Sequence, residues 1–345
     1  MRAAFLPGDS TVELREVPDP APGHRQVVLR MRASTICGSD LRAIYREHLG
    51  AGPEAYQGVV AGHEPCGEVV AVGPGCRERA VGDRVVVYHI SGCGLCDDCR
   101  AGYRISCTSP LRRAYGWQRD GGHADLLLAD EEDLVPLPDG LSFLDGACVA
   151  CGFGTAYEAL RRADVSGGDT LLVTGLGPVG LAAALLGRAL GAPRVIGSDP
   201  SPVRRELASA LGAVDDILGA DADTAERVRK LTGGHGAEVA VDCSGAGPAQ
   251  RTAIRAARRW GRVALVGEGG RLELDVSHEV IHRQLTLIGS WVTSTVRMAE
   301  LLERLVRWDL HPEHVVTGRL GLEQAGEAYA RADGGEPGKV GIVWA

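Results

Sequence analysis

Four cysteines within one short segment are the residues of this sequence that most clearly predict chemistry. Cys93, Cys96, Cys99 and Cys107 follow the spacing C-x2-C-x2-C-x7-C. Zinc binds four thiolates in tetrahedral geometry, and such a site leaves no position open for a substrate. The glycines and short polar residues between them favour a tight turn. We therefore predict a structural zinc site in a lobe of residues 91–108, in preference to disulfides or free thiols, because nothing else indicates secretion.

Three further residues, far apart in the sequence, offer a second set of zinc ligands. They are Cys37 in I-C-G-S-D, His63 in G-H-E and Cys151 in A-C-G-F-G-T. Two thiolates and one imidazole leave the fourth position of a tetrahedral zinc open, as in catalytic sites. Cys148 forms a C-x2-C pair with Cys151 and is an alternative ligand. The spacing also allows a simpler interpretation, in which each is a buried cysteine or a core histidine.

A glycine-rich turn, GLGPVG at residues 175–180, follows the apolar run TLLVT and begins a helical stretch. In this strand-turn-helix context the motif predicts a dinucleotide site. Gly175 permits the tight turn, Gly177 lets the backbone approach a pyrophosphate, and Gly180 lets the helix pack closely on the sheet. The free N–H groups of the helix N-terminus would then face the pyrophosphate.

An acidic residue at the end of the next strand predicts the choice of dinucleotide. Asp199 lies 19 residues after Gly180. Its carboxylate would accept hydrogen bonds from the ribose hydroxyls and repel a 2′-phosphate, which favours NAD over NADP. Arg204 and Arg205 follow closely and could weaken this preference.

Composition excludes several classes of protein. The chain has 345 residues, 45% of them hydrophobic and 24% charged, with a formal net charge of -8. An acidic chain without a basic run is not expected to bind nucleic acid. No apolar stretch reaches the roughly 18 residues of a membrane span, and the N-terminal residues lack the pattern of a signal peptide. Ten cysteines without an export signal indicate a reducing compartment, the cytoplasm.

The order of predicted elements indicates two domains. Residues up to about 150 form short apolar or alternating runs broken by Gly, Pro and Asp, which is typical of strands. Residues 170–290 alternate strand-like runs with alanine-rich helical stretches, including residues 249–259. This alternation predicts a parallel, doubly wound sheet and hence an α/β fold.

Five motifs occur here in the order in which zinc-dependent medium-chain alcohol dehydrogenases have them, and the chain resembles that family over essentially its whole length. They are C-G-S-D, G-H-E, the cysteine lobe, C-G-F-G-T and G-x-G-P-V-G. The resemblance implies a GroES-like, β-rich catalytic domain of residues 1–150 and 291–345. It also implies that a Rossmann NAD-binding domain of residues 151–290 is inserted into this catalytic domain. Relatives form dimers or tetramers, so we expect a homodimer or homotetramer.

The resemblance also implies individual roles. Cys37, His63 and Cys151 would bind the catalytic zinc, which leaves Cys148 in the core. The remaining implied residues are Glu64, an acid that can approach the metal; Ser39, which would take the alcohol proton; Thr155 and Val179, which would pack on the nicotinamide beside Pro178; and Trp117, His123, Phe153 and Trp291, which would line the substrate pocket. We expect Cys66, Cys76 and Cys243 to be packing residues.

Two positions depart from the family pattern. Many relatives have a histidine where this chain has Arg42, and a guanidinium cannot accept a proton. The relay then ends in water or in another base such as His48, or Arg42 holds an anionic group, or it simply faces solvent. His123 stands where relatives commonly have an aromatic residue. It would either bind a hydroxylated substrate or lie at the surface.

The expected activity is hydride transfer between an alcohol and NAD, with one catalytic and one structural zinc per chain. The metal would lower the pKa of the alcohol. Tyr45, His48 and Tyr56 form a polar segment near the expected cleft, which favours a secondary alcohol such as a polyol, cyclitol or amino alcohol. The alternatives are a biosynthetic carbonyl or imine reductase with the same site, and a cofactor-binding protein without catalysis.

Overall fold

The computed structural model describes residues 1–345, which separate into two compact units. Unit 1 comprises Met1–Gly154 and Thr293–Ala345, and unit 2 comprises Thr155–Val292. The domain limits expected from the sequence remain a prediction, because compactness does not by itself define an independently folding domain.

Short strands and helices make up both units. The strands are β1 (Arg2–Phe5), β2 (Glu13–Glu16), β3 (Gln26–Thr35), β4 (Pro65–Val72), β5 (Arg84–Val87), β6 (Ile90–Ser91), β7 (Arg113–Ala114), β8 (Leu126–Asp130), β9 (Leu134–Pro136), β10 (Thr170–Thr174), β11 (Arg194–Ser198), β12 (Asp216–Leu218), β13 (Ala237–Asp242), β14 (Ala257–Leu265), β15 (Thr286–Gly289), β16 (Val316–Leu320) and β17 (Lys339–Val343). The α-helices are α1 (Gly38–Asp40), α2 (Asp97–Arg100), α3 (Phe143–Cys148), α4 (Gly154–Arg162), α5 (Pro178–Ala189), α6 (Pro202–Ala210), α7 (Thr224–Leu231), α8 (Gly247–Ala256), α9 (Thr295–Trp308) and α10 (Ala325–Asp333). The π-helical turns are Leu41–Tyr45, Val149–Phe153 and Val276–Ile281, and the 3₁₀ turns are Arg104–Ser106, Glu131–Asp133, Pro312–Val315 and Leu322–Gln324.

Unit 1 is built on a seven-stranded sheet in the order β16-β17-β3-β4-β5-β9, with β8 also paired to β3. The central strand β3 has mostly buried residues on both faces, so the sheet is covered on both sides. At one end of this sheet Thr35 of β3 lies opposite Gly341 of β17, and the neighbouring Ser34 lies opposite Pro65 of β4. The segments that follow β3, precede β4 and begin β17 are therefore held close together.

The helix α3 brings a further segment to unit 1. Ser142 caps its N-terminus by accepting a hydrogen bond from the Asp145 N–H, and the Asp145 carboxylate accepts one from the Ser142 N–H. A Cβ at Gly146 would lie only 2.5 Å from the Cys66 Sγ, so glycine permits the close packing of α3 on β4. The π-helical turn that follows α3 carries Cys151.

Unit 2 contains a six-stranded sheet in the order β12-β11-β10-β13-β14-β15, with every pairing parallel. This is the strand order of a doubly wound dinucleotide-binding sheet, and it confirms the predicted Rossmann part of the α/β fold. The helix predicted over residues 249–259 is wrong at its end, because α8 stops at Ala256 and Ala257 is already extended. Pairing of Ala257 with Ala237 of β13 overrides the helical propensity of this arginine- and alanine-rich stretch.

The helices of both units are short or amphipathic. None of them is both long enough and apolar enough to span a bilayer.

Candidate metal and cofactor sites

The structure brings together the three residues predicted to bind a second metal. Cys37 precedes α1, His63 lies just before β4, and Cys151 lies in the π-helical turn after α3. The Sγ atoms of Cys37 and Cys151 are 4.0 Å apart. The potential ligand atoms of these three residues and Glu64 all lie within 4.8 Å of one another. Cys148, the alternative ligand, is wholly buried and does not belong to this cluster.

A buried carboxylate orients the histidine of this cluster. His63 Nδ1 lies 2.7 Å from Asp40 Oδ1, and the Cys37 N–H donates to Asp40 Oδ2 at 3.0 Å. Asp40 is wholly buried. A carboxylate on one imidazole nitrogen commonly fixes the tautomer of a metal-binding histidine, so Nε2 is left for a cation. No role for Asp40 was predicted from the C-G-S-D motif, although its position three residues after Cys37 was the available signal.

The pKa values of the two cysteine sulfurs in this cluster are shifted in opposite directions. The neighbouring Cys151 thiol, together with His63, holds the pKa of Cys37 well below its usual value. The same sulfur pair, together with burial, raises the pKa of Cys151 well above its usual value. Without a metal the pair thus consists of one thiolate and one thiol, and a metal that binds both sulfurs displaces the remaining proton. The donor set of two sulfurs and one imidazole fits zinc with one position open.

Glu64 is held at the edge of this cluster by two donors. Its Oε2 accepts hydrogen bonds from Lys339 Nζ at 2.7 Å and from Thr35 Oγ1 at 2.5 Å. Its Oε1 is buried and has no hydrogen-bond partner. Burial raises the pKa of Glu64 to about 7, against the opposing effect of Lys339. Sequence reasoning assigned Glu64 but missed both donors, because only strand pairing brings them to it.

A second histidine lies against the cluster and was also missed. The imidazole ring centroids of His89 and His63 are 5.1 Å apart. His89 Nδ1 is 2.9 Å from the carbonyl oxygen of Ala150, and burial lowers the pKa of His89 to about 4. His89 is therefore a neutral imidazole whose Nε2 can accept a hydrogen bond.

The structure also brings together the four cysteines predicted to bind the structural zinc. The Sγ atoms of Cys93, Cys96, Cys99 and Cys107 lie within 4.8 Å of one another, and no cysteine of the chain is in a disulfide. The backbone N–H groups of Leu95 and Cys96 donate to the Cys93 sulfur at 3.5 and 3.4 Å. These bonds lower the pKa of Cys93 to about 6. Four sulfurs at this spacing fit a closed tetrahedral zinc site.

The residues predicted for proton transfer follow Cys37 closely in the sequence but differ in their exposure to solvent. Ser39 is partly exposed in α1, and Arg42 is exposed in the following turn. His48 Nε2 lies 2.8 Å from the carbonyl oxygen of Leu6, so only its Nδ1 remains as an acceptor. The exposure of Arg42 agrees both with a solvent-facing side chain and with one that holds an anionic group, so its role remains a prediction.

The candidate substrate residues of unit 1 are more buried than expected. Phe153 is 1% exposed, and Trp117 packs partly buried against an apolar cluster. His123 is wholly buried, so the surface alternative for it is wrong. The ring of His123 packs on the backbone of Gly62, its Nδ1 lies 3.1 Å from Tyr329 Oη, and burial lowers its pKa to about 4.

The expectation of a polar cleft segment is also wrong in part. Tyr45 and Tyr56 belong to an apolar core cluster, and the Tyr56 hydroxyl donates to the carbonyl oxygen of Val59 at 2.5 Å. The ring of Tyr45 packs against that of Tyr329, and the ring of Tyr56 packs against that of His48. Neither hydroxyl therefore indicates a polar substrate.

In unit 2 the glycine-rich turn has the conformation that the motif predicts. Gly175 has φ of +87°, and a Cβ at Gly180 would lie 1.7 Å from the Gly175 carbonyl oxygen. Nothing lies within 4 Å of a Cβ built at Gly177, so this position is open. Pro178 is the first residue of α5, and Val179 is partly buried beside it. The open turn and the N-terminus of a 12-residue helix fit a pyrophosphate.

Asp199 follows β11 and is tied to the same turn. Its Oδ2 accepts a hydrogen bond from the Leu176 N–H, and its Oδ1 accepts one from the Ser201 N–H, both at 2.8 Å. Arg205 donates to the Asp199 carbonyl oxygen at 2.7 Å, whereas Arg204 Nη1 lies 3.9 Å from the carboxylate. Only Arg204 is therefore placed to offset the charge of this carboxylate.

Two predicted residues of unit 2 have unsatisfied or exposed side chains. Thr155 Oγ1 is buried without a hydrogen-bond partner. Trp291 is 57% exposed. Their predicted contacts with nicotinamide and substrate remain predictions.

Comparison with known proteins identifies the family. Residues 23–139 match the model of the alcohol dehydrogenase GroES-like domain, and residues 178–307 match that of a zinc-binding dehydrogenase. The chain is 51% identical to the uncharacterized zinc-type alcohol dehydrogenase-like protein YphC of Escherichia coli (strain K12), over 99% of this chain and 98% of the relative. It is 31% identical to the sorbitol dehydrogenase of Halalkalibacterium halodurans, over 96% of each chain. A crystal structure of an NAD-dependent alcohol dehydrogenase superposes with a TM-score of 0.88 and 32% identity, covering 100% of both chains.

Proposed function

This chain belongs to the zinc-dependent medium-chain dehydrogenase family and is an oxidoreductase of the alcohol dehydrogenase type, and from that premise we propose that it transfers a hydride between a polar secondary alcohol and NAD. The observation that carries the proposal is the assembly of Cys37, His63 and Cys151 with a donor set that leaves one position open. A protein that only bound the cofactor would have no need to keep these three side chains together. A carbonyl or imine reductase remains the second candidate, because the same site serves both directions of hydride transfer.

In this proposal the chain holds two zinc ions. Cys37, His63 and Cys151 hold the catalytic ion, and the cysteine lobe of residues 91–108 holds the structural one. When bound at the first site, zinc supplies Lewis-acid chemistry that lowers the pKa of an alcohol. Asp40 keeps the His63 ring in place through Nδ1.

The proton of the alcohol passes to the protein through Ser39. Its hydroxyl is partly exposed and lies two residues after Cys37. Arg42 cannot continue this relay, because a guanidinium has no acceptor. We therefore propose that the proton leaves Ser39 to water or to Nδ1 of His48, the one ring nitrogen of His48 that no carbonyl engages.

The glycine-rich turn and Asp199 support NAD as the cofactor. Gly177 leaves space for the pyrophosphate, and the N–H groups at the start of α5 bind it. The buried Asp199 carboxylate disfavours a 2′-phosphate. The charge of Arg204 only partly offsets this effect, because its guanidinium stands 3.9 Å away.

A polar substrate is supported by the neutral imidazole of His89 beside the cluster and by the relative named sorbitol dehydrogenase. An alcohol with further hydroxyl or amino groups could donate a hydrogen bond to His89 Nε2. We therefore place polyols, cyclitols and amino alcohols before aliphatic alcohols.

We also propose that the protein is a homodimer or homotetramer. The strand β15 lies at the edge of its sheet, and the side chain of Leu287 in this strand is 38% exposed. The nearby residues Ile281 and Trp291 are 58% and 57% exposed. An exposed apolar edge strand favours pairing with a second copy.

The decisive experiment combines a substrate panel with metal analysis. Wild-type protein is assayed with polyols, cyclitols, amino alcohols and aliphatic alcohols, using NAD or NADP, while the absorbance of reduced nicotinamide is followed. We expect activity with NAD and two zinc ions per chain. Cys37→Ser should bind one zinc ion and lose at least about 100-fold in turnover, since a metal ligand is lost.

The matched control is Cys76→Ser, because Cys76 lies in neither cluster. It should retain both zinc ions and the wild-type activity. The proposal is wrong if Cys37→Ser keeps the wild-type turnover, or if the wild-type chain binds only the zinc of the cysteine lobe.

A further inference from the structure

A buried ion pair lies directly beside the candidate catalytic metal site. Lys339 Nζ is 2.7 Å from Glu64 Oε2, and the two side chains are 3% and 0% exposed. Lys339 Nζ also donates to the carbonyl oxygen of Ile36 at 3.2 Å, and Ile36 immediately precedes Cys37. The lysine thus touches both the carboxylate and the backbone that leads to a metal ligand.

Both donors to Glu64 engage the same oxygen atom. Thr35 Oγ1 donates to Oε2 at 2.5 Å, so Oε2 receives two hydrogen bonds, one of them from a full charge. Oε1 is buried and receives none. A buried carboxylate oxygen without a hydrogen-bond partner lowers the stability of the folded state, so such an oxygen indicates that a water or an ion binds there. Glu64 contributes a potential ligand atom within 4.8 Å of those of Cys37, His63 and Cys151, so a cation is the partner available.

The two donors belong to rigid elements, whereas the carboxylate does not. Lys339 begins β17 and Thr35 ends β3, and these strands pair in antiparallel register with Gly341 opposite Thr35. Glu64 lies in the irregular segment before β4. The sheet fixes the backbone of both donors, and the Ile36 carbonyl oxygen also engages Lys339 Nζ, whereas the backbone of Glu64 belongs to no strand.

The choice of lysine is informative in this sequence. The chain has only two lysines, Lys230 and Lys339, and uses arginine at its other basic positions. Lys230 is exposed on α7. An ammonium is a compact point charge, whereas a guanidinium presents a wide planar fork that grips both oxygens of a carboxylate. A lysine at this buried position holds one oxygen and leaves the other available.

Resting on the proposed function, we propose that Lys339 is a positioning residue of the Cys37–His63–Cys151 metal site. It holds Glu64 by Oε2 and thereby limits how far Oε1 advances to become a fourth metal ligand in place of the substrate. Without the lysine, a buried carboxylate held only by the neutral Thr35 hydroxyl would move onto a divalent cation beside it. The open position would then be lost.

The test uses cobalt in place of zinc, because the visible absorption of Co²⁺ reports its ligands and needs no turnover. Imidazole serves as the probe for an open position. In the wild-type protein, imidazole should change the cobalt spectrum. In Lys339→Met the spectrum should already differ and should no longer respond to imidazole, and release of the metal to a chelator should slow by about tenfold.

Matched variants separate positioning from simple loss of structure. The double variant Lys339→Met/Glu64→Gln should respond to imidazole again, because its neutral amide is a poor metal ligand. Lys230→Met, which alters the other lysine, should behave as the wild-type protein. A folded Lys339→Met protein whose spectrum, imidazole response and metal release equal those of the wild type would overturn the proposal.

A second pair of variants decides the matter if Lys339→Met does not fold. Glu64→Gln and the double variant both lack the buried carboxylate, so they should show the same cobalt spectrum and the same release rate. A difference between them would mean that Lys339 acts on the metal without Glu64, which contradicts the proposal. Cys37→Ser distinguishes the two levels of inference. If it retains the responsive cobalt ion, the proposed function fails; if it loses that ion while Lys339→Met has no effect, only this inference fails.

Discussion

The substitution Asp40→Asn should weaken the catalytic metal site and leave the structural one unchanged. The Asp40 carboxylate accepts two hydrogen bonds, one from His63 Nδ1 at 2.7 Å and one from the Cys37 N–H at 3.0 Å. An amide has one acceptor oxygen, so its NH₂ group must face one of these two donors. A buried donor left unpaired costs about 1–3 kcal/mol. Because either donor belongs to a metal ligand, we expect the affinity for the first metal to fall by about 10- to 100-fold.

Competition with a chromophoric chelator measures this effect. Apo protein is titrated with zinc in the presence of the chelator, and Cys37→Ser identifies which of the two binding steps belongs to the catalytic site. Asp139→Asn is the control, because the Asp139 side chain is fully exposed. Circular dichroism verifies that both variants are folded. Binding constants for both steps within about twofold of the wild-type values, in a folded Asp40→Asn protein, would refute the orienting role of Asp40.

Three further predictions concern two glycines of the glycine-rich turn and the dependence of stability on pH. Gly180→Ala should lower the thermal unfolding midpoint, because its Cβ would lie 1.7 Å from a carbonyl oxygen. Gly177→Ala should keep the wild-type midpoint but weaken NAD binding by about tenfold or more, measured by fluorescence titration; unchanged binding would contradict the pyrophosphate assignment. Hydrogen bonding to Asp145 raises the pKa of His311 in the folded protein. The protonated His311–Asp145 pair should therefore stabilise the folded state by up to about 1 kcal/mol. This stabilisation is complete below a pH of about 6.5, the ordinary pKa of histidine, and is lost as the pH rises through the folded-state pKa of His311. His311→Gln should remove this pH dependence from the unfolding midpoint, with His314→Gln as the control, and an unchanged profile would exclude the pair as its source.

Sites defined by local spacing were predictable from the sequence. The cysteine lobe places its four sulfurs together within 15 residues, counted from Cys93 to Cys107, so the turn alone determines their proximity. The glycine-rich turn is similar, because the close approach of Gly180 to Gly175 is a property of one strand-turn-helix unit. In both cases the sequence pattern is short enough to specify the geometry by itself.

Contacts that depend on strand pairing were not predictable in the same way. Lys339 reaches Glu64 only because β17 pairs with β3, and these segments are about 300 residues apart, as the separation of 303 between Lys339 and Ile36 indicates. The ring of His89 meets that of His63 for a similar reason, since His63 belongs to the G-H-E motif but no motif links His89 to it. The error over Tyr45 and Tyr56 has another origin. A hydroxyl in the sequence suggests polarity, but the aromatic ring determines where a tyrosine packs.

The departure at Arg42 has a consequence for how protons leave the site. An exposed guanidinium cannot accept the proton that a histidine would take at this position. His48 is one base predicted to replace it. Its Nε2 lies 2.8 Å from Leu6 O, and its ring centroid lies 4.8 Å from that of Tyr56. This hydrogen bond sets the tautomer, because the nitrogen facing a carbonyl oxygen must carry the hydrogen. If the proposed relay passes through His48, the proton must therefore arrive at Nδ1, and blocking that nitrogen should slow turnover without changing the zinc content.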